Sequence, residues 1–247
     1  MNPLIASAAP RFYFDGPLSV GAEIELPARA AHHVAVLRLR TDDPVTLFNG
    51  SGGAFTCTLS RVAKDSTRAR VMAWNEADGE STLEITLAQG LSSSDRMDLV
   101  LQKATELGVR AIQPFAAERS VVRLSDERAD RRLAHWRNLV IASCEQCGRN
   151  RLPEVRPVSS LGEFLSAADA QAQRLLLSPA GTKRLRDLVP TAKVVVLIGP
   201  EGGLSENEEN RALRSGFTAV GLGPRVLRTE TAPIAAIAAL QAMWGDG

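Results

Sequence analysis

The hydrophobic pattern of this chain changes period once, near residue 80, and the change restricts what each part can fold into. Before it lie short β-prone runs at residues 11–14, 23–26, 45–48, 54–60 and 68–74. They are separated by turn signals such as Asp15-Gly16-Pro17 and Asn49-Gly50-Ser51-Gly52-Gly53. Short strands this close, with one helix inserted over 28–38, predict a small β-barrel. A polar stretch over 76–82 reads as a linker. From residue 83 onward strands alternate with helices: strands at 83–89, 109–114, 174–177, 194–198 and 219–222, helices opening at Ser94-Asp95, Glu127, Leu161, Glu206 and Pro233. The first of these helices carries Leu99, Val100, Ala104 and Leu107 as its apolar face and stops at Gly108. Such alternation predicts a largely parallel α/β sheet with helices on both faces. The expected organisation is therefore a β-rich domain at 1–75, a linker at 76–82 and an α/β domain at 83–247.

Composition removes several classes. With 247 residues, 45% of them hydrophobic and 23% charged, the chain has the makings of one or two domains with real cores. No apolar run approaches a membrane span, the longest, over 232–244, being interrupted by Gln241. Residues 1–10 lack both Lys or Arg and a hydrophobic stretch, so no signal peptide is expected and the chain reads as cytoplasmic. Three cysteines cannot make a disulfide framework. Cys144 and Cys147 have metal-ligand spacing, but no second Cys or His pair completes a tetrahedral site, so no metal is expected. They also fall late in a helical pattern, unlike a redox motif that opens a helix after a strand. His32 and His33 lie beside Val34, Val36 and Leu37, one expected exposed and the other packed; Trp136 reads as core. The net charge of +1 hides an uneven distribution, with nine Arg against five acids between Arg119 and Arg156. That excess suits either oxyanion recognition or a solvated, ion-paired helix face.

Chemistry concentrates in two loops. The apolar run Val194-Val-Val-Leu-Ile198 reads as a central parallel strand and leads at once into Gly199-Pro-Glu-Gly-Gly203. Ser205 and Glu208 then have capping-box spacing and mark a helix start. The same logic recurs one unit later, where the strand at 219–222 leads into Gly223-Pro-Arg-Val-Leu-Arg-Thr-Glu-Thr231. No Gly-Lys-Ser/Thr follows either loop and the glycine spacing is not that of a dinucleotide fingerprint. Two such loops at adjacent strand ends form one pocket of backbone donors and acceptors with walls from Leu222, Val226 and Leu227. That lining suits an adenosine-type cofactor better than a triphosphate. Ser51 lacks a hydrolase elbow, and the few aromatics argue against a stacking platform of the RRM kind. The last helix, apolar nearly all round, is expected to be buried on most sides, within its domain or against a second copy.

The segments His32-His-Val-Ala-Val-Leu-Arg38, Gln102-Lys-Ala-Thr-Glu-Leu-Gly108, Glu145-Gln-Cys-Gly-Arg-Asn-Arg-Leu-Pro153, Ile198-Gly-Pro-Glu-Gly-Gly-Leu204 and 222–232, in this order across nearly the whole chain, closely resemble the RsmE-type 16S rRNA (uracil-N3)-methyltransferases of the SPOUT class. The resemblance implies an amino-terminal PUA-like β-barrel for RNA and a carboxyl-terminal SPOUT α/β domain with a deep trefoil knot. It implies S-adenosylmethionine as methyl donor, a homodimer, and 16S rRNA of the small ribosomal subunit as partner. The knot and cofactor site fall at about 175–235. Carried over by position, the cofactor pocket comprises Leu177, Gly199, Glu201, Gly202, Leu222, Gly223, Leu227, Arg228 and Thr229. Uracil N3 carries a proton at neutral pH, so methylation needs a base or anion stabilisation. Arg228 is the candidate for stabilising charge on O2 or O4 in a dry site, and Glu201 or Glu230 for the base if burial raises its carboxyl. The other reading of either Glu is a carboxylate paired with Arg228 or capping the following helix. Arg38, Lys103, Arg119, Arg123 and Arg149 are the RNA-contact candidates. Two other readings share these features: a non-catalytic RNA-binding or ribosome-assembly protein, and a SPOUT methyltransferase acting on another RNA. The intact pair of glycine loops speaks against the first, and the match over 145–153 against the second.

Overall fold

The computed structural model describes residues 9–120 and 126–247, which separate into two compact units. Of the described residues, the first unit holds 9–80 and 141–152, and the second holds 81–140 and 153–247. Among the described residues no helix is long and apolar enough to cross a membrane.

The first unit is built on a five-stranded sheet in the order β1-β3-β4-β5-β2, from β1 (Arg11–Tyr13), β2 (Glu23–Glu25), β3 (Pro44–Phe48), β4 (Ala54–Val62) and β5 (Thr67–Asn75). β1 runs parallel to β3 and the other ladders are antiparallel. Among the described residues no ladder joins β1 to β2. Alternation along β5 buries Thr67, Ala69 and Val71, of which Ala69 and Val71 meet Val45, Leu47, Cys57 and Leu59 in one core. Helix α1 (Ala28–Val36) adds Ala30 and Val34 to it. Contrary to expectation, both His32 and His33 are exposed, with His33 only edging towards Phe12. The polar stretch read as a linker is pinned: Glu80 pairs with Arg149, Asp78 with Arg151, and the Ala77 carbonyl accepts from Asn150.

The second unit holds a parallel sheet in the order β12-β10-β11-β6-β7-β8, with β9 (Ser159–Ser160) also on β7. The strands are β6 (Glu84–Gly90), β7 (Ala111–Ala116), β8 (Glu154–Val155), β10 (Gln173–Leu177), β11 (Lys193–Ile198) and β12 (Thr218–Val220). β8 and β9 were not expected; each is two residues long and carries no readable period. β11 sits centrally because its run of β-branched residues is buried on both faces. From β6 the chain builds outward through β7 and β8, whereas β11, β10 and β12 lie on the other side. The order therefore reverses beside β6, where ligands of open parallel sheets bind.

Helices α2 (Ser94–Glu106), α3 (Asp126–Cys147), α4 (Leu161–Ala167), α5 (Glu206–Arg214) and α6 (Thr231–Trp244) complete the unit, although the last turns of α3 belong to the first unit. α2 is rotated from the expected phase: Met97, Val100, Leu101, Ala104 and Thr105 are buried, and Leu99 is 39% exposed. Its N-cap is Ser93, not Ser94 or Asp95, and makes no side-chain cap bond. Trp136 is fully buried. The capping box of Ser205 and Glu208 is present at α5. α6 begins two residues early, with Pro233 in its first turn, where a missing N–H costs nothing. It buries Pro233, Ala236, Ile237 and Leu240 but leaves Ala235, Ala238 and Ala242 exposed, so less of it is covered than expected. The buried Gln241 ties it down, donating to the Leu107 carbonyl and accepting from Ser81.

Candidate cofactor site

The carboxyl ends of β10, β11 and β12 open into one cavity of about 570 Å³. All nine expected cofactor residues line it: Leu177, Gly199, Glu201, Gly202, Leu222, Gly223, Leu227, Arg228 and Thr229. Its size lies within the range of sites for small organic ligands. β12 ends at Val220, so Leu222 belongs to the loop and not to the strand.

Close backbone packing shapes the walls. The segment after β10 returns against the end of β12: Ser178 N–H donates to the Val220 carbonyl, and Gly221 N–H to that of Lys183. A Cβ on Gly181 would lie 2.5 Å from the Val220 carbonyl carbon, so only glycine allows this approach. Gly90, at the end of β6, meets Pro200 of the first glycine loop in the same way. Behind these contacts, the buried Gln89 donates to the Thr229 hydroxyl (3.1 Å), which donates to the Gly199 carbonyl (2.8 Å). Thr229 therefore stitches the second loop to the first. Sequence reasoning passed over Gln89, although an amide ending an apolar strand beside a glycine is a readable signal.

The charged residues depart from expectation. Glu201 pairs with neither Arg228 nor the helix that follows. Its Oε1 accepts from the Ser93 N–H at the start of α2 (2.9 Å) and lies 3.0 Å from the Arg96 guanidinium. Burial alone would raise this carboxyl, but the Ser93 N–H, its own N–H, the Ser92 hydroxyl and Arg96 hold it below its ordinary value. The premise that burial would make Glu201 a base therefore fails. Arg96, which the sequence did not single out, also lies 3.5 Å from Glu230 and so joins the two loops through their carboxylates. Glu230 in turn lies 4.0 Å from Arg228. Arg228 was placed in a dry site, yet its side chain is 79% exposed at the cavity rim.

The RNA-contact candidates separate as well. Arg38 is exposed and holds a left-handed backbone (φ 56°), a conformation costly for a non-glycine residue. Lys103 is half-buried and paired with Glu106. Arg119 is exposed, but its guanidinium donates to the Gly202 and Leu204 carbonyls and props the first glycine loop. Arg149 is a correction: its side chain is 6% exposed and grips Glu80 with two hydrogen bonds, leaving no reach to a phosphate. Arg123 lies outside the described residues. Cys144 and Cys147 close α3, and burial pushes the Cys144 thiol up to about 12.

Comparison with known proteins bears on this geometry. A family model described as RNA methyltransferase domain matches residues 79–241, and one described as RNA methyltransferase PUA domain matches 26–72. A Buchnera aphidicola protein named ribosomal RNA small subunit methyltransferase E is 33% identical over 96% of this chain and 97% of its own length. A crystal structure of the protein of that name from Neisseria gonorrhoeae, bound to S-adenosyl methionine, is 46% identical with a TM-score of 0.91, covering 96% of this chain and 99% of that one. A Legionella pneumophila methyltransferase in complex with the bound cofactor SAM is 41% identical with a TM-score of 0.94, covering 98% of this chain and all of that one.

Proposed function

Because this chain belongs to the RNA methyltransferase family that includes ribosomal RNA small subunit methyltransferase E, we propose that it methylates small-subunit rRNA with S-adenosylmethionine as donor. The observation that carries this reading is the convergence of both glycine loops and Leu177 on one cavity at the strand ends. The residues present fit the donor. Leu177, Leu222 and Leu227 offer apolar walls for an adenine ring, and the glycine loops offer main-chain groups for its polar edge and for a ribose. When bound, the donor supplies a methyl group on a sulfonium, a strong electrophile that needs no metal. The chain's own part is to hold it, to present the nucleophilic atom in line, and to manage the proton that atom carries.

The finer reading, resting on the resemblance in motifs, is that the atom is N3 of a uridine in 16S rRNA. The β-rich unit, read as the PUA-like barrel of residues 1–75, and the exposed Arg38 and Arg119 hold the RNA, with phosphate contacts fixing register. A trefoil knot within 175–235 is supported by the tight return of 178–183 against 220–221. The exposed alanines of α6 support a homodimer, and the exposed Arg228 leaves a group for RNA or a second copy to cover. A substrate inside the ribosome makes the cytoplasm the place of action.

The test is calorimetric titration with S-adenosylmethionine, followed by transfer of labelled methyl to small ribosomal subunits that lack the modification, with the product nucleoside identified by mass spectrometry. Binding and N3-methyluridine are expected. Absence of binding with and without RNA overturns the enzyme reading, and label on a ribose or another base overturns the N3 assignment.

A further inference from the structure

Methylation at uracil N3 requires a group that takes the N3 proton; Glu201 and Glu209 line the cavity, Glu209 accepting from the Ser178 hydroxyl at 3.4 Å, and Glu230 adjoins it through the lining residues Arg96 and Arg228. Their surroundings differ. One oxygen of Glu201 is taken up by the Ser93 N–H and by Arg96, and protonating that carboxyl would weaken both contacts. Its task is to hold the first glycine loop to the start of α2.

Glu230 is placed differently. Its side chain is 13% exposed, and among the described residues neither of its oxygens accepts a hydrogen bond, whereas in Glu201 only Oε2 is left without a donor. Its charge neighbours, Arg96 at 3.5 Å and Arg228 at 4.0 Å, do not bind it as hydrogen-bond donors. It stands at the N-cap of α6 and makes no side-chain cap bond there. It follows directly on Thr229, whose hydroxyl is fixed between Gln89 and Gly199. Glu230 is thus a poised acceptor on a held backbone, two residues from a guanidinium that is free to swing.

We propose that Glu230 is the proton acceptor for uracil N3 and that, with Arg228, it reads the imide edge of the base. The inference rests on the methyltransferase reading above. Uracil presents acceptor, donor and acceptor in the order O4, N3–H, O2. A carboxylate accepts from N3–H while an adjacent guanidinium donates to a flanking carbonyl, so the pair matches that edge. Cytosine has no proton on N3 and an amino group at position 4, and it would face the carboxylate with a lone pair and the guanidinium with a donor. In the step itself the N3 proton passes to Glu230. The N3 electron pair forms the bond to the methyl carbon as the carbon–sulfur bond breaks, and the bonding pair of that broken bond stays on sulfur, which leaves as a neutral thioether. Arg228 stabilises the charge that builds on the carbonyl oxygen, and the proton on Glu230 is lost to solvent after product leaves.

The experiment compares wild type, Glu230→Gln and Glu230→Asp for methyl transfer to small subunits across pH, with S-adenosylmethionine affinity measured in parallel. Glu230→Gln should lower kcat by roughly 10²- to 10⁴-fold with cofactor Kd changed less than about threefold. Its rate should keep rising with pH into the alkaline range where uracil itself ionises, while the wild-type rate levels off. Substrate carrying 5-fluorouridine, whose N3–H is more acidic, should recover Glu230→Gln more than it speeds wild type. Glu230→Asp should restore part of the rate and the wild-type pH profile. Near-wild-type turnover of Glu230→Gln overturns the assignment. So does a loss that is uniform in pH, untouched by 5-fluorouridine and shared by Glu230→Asp. If wild type transfers no methyl to any uridine, the methyltransferase reading itself fails, which these comparisons keep distinct.

Discussion

Replacing Thr229 by valine deletes one oxygen while keeping the shape of the side chain. That hydroxyl donates to the Gly199 carbonyl at 2.8 Å and accepts from the fully buried Gln89 at 3.1 Å. Gln89 keeps its second acceptor, the Gly90 carbonyl, so its amide is not left without a partner. The Gly199 carbonyl loses its donor from the second loop. An unsatisfied buried group costs about 1–3 kcal/mol. For a chain of this size, at about 2–4 °C per kcal/mol, the melting midpoint should fall by roughly 2–12 °C. Since the hydroxyl joins the two loops, Thr229→Val should also weaken S-adenosylmethionine binding, and Gln89→Leu should add little to Thr229→Val in a double-mutant cycle. Calorimetric unfolding and titration of the two single variants and the double variant give both quantities. A Thr229→Val protein with unchanged midpoint and affinity, or strictly additive losses, refutes the argument that this hydroxyl couples the loops.

Other consequences are independent of that one. Arg149→Ala strands the largely buried Glu80 carboxylate, so it should cost towards the lower end of about 3–5 kcal/mol in urea unfolding. It should leave the salt dependence of RNA binding unchanged, whereas a lost phosphate contact would reduce the slope by about one. Burial pushes the thiols of Cys57 and Cys144 up to about 11 and about 12, so iodoacetamide at pH 8 should leave both unmodified in the native protein and alkylate both in denaturant. Rapid native labelling of either, located by mass spectrometry, would contradict the packing described. The Glu201 carboxyl is lowered in the folded state, so its stabilisation is fully present above the ordinary carboxylate value and is lost as pH falls through the lowered one. Glu201→Gln should therefore flatten the acid limb of stability against pH below about 4.5; an unchanged limb would show that its contacts with Ser93 and Arg96 contribute nothing.

What the sequence disclosed and what it withheld follow from the range of the interactions. β11 with its glycine loop, the capping box at Ser205 and Glu208, and the alternation after residue 83 are local signals, and each stands where it was read. The nine cavity residues came from matched motifs and meet in space because three parallel strands end on one side. Phase was harder: Met97 and Leu101, not Leu99, face the core, because only tertiary packing selects among adjacent apolar positions. Arg149 and Glu80 are 69 positions apart, and nothing in an Arg-rich stretch says which of its members are already neutralised from elsewhere. Arg96 was invisible for the same reason: a charged residue in a helix's first turn reads as solvated until the loop that brings Glu201 to it is placed.

The assignment of residues 141–152 to the first unit has a consequence for how the chain comes off the ribosome. The partners that neutralise Asp78 and Glu80, and the Glu145 that receives the Tyr13 N–H and Arg29, are translated long after the strands they join. At roughly 5–20 residues per second, the stretch from Ser81 to Leu152 takes about 4–14 s to synthesise. For that interval the nascent amino-terminal sheet must wait, incomplete, for its closing segment, and a fragment cut after residue 80 would wait indefinitely.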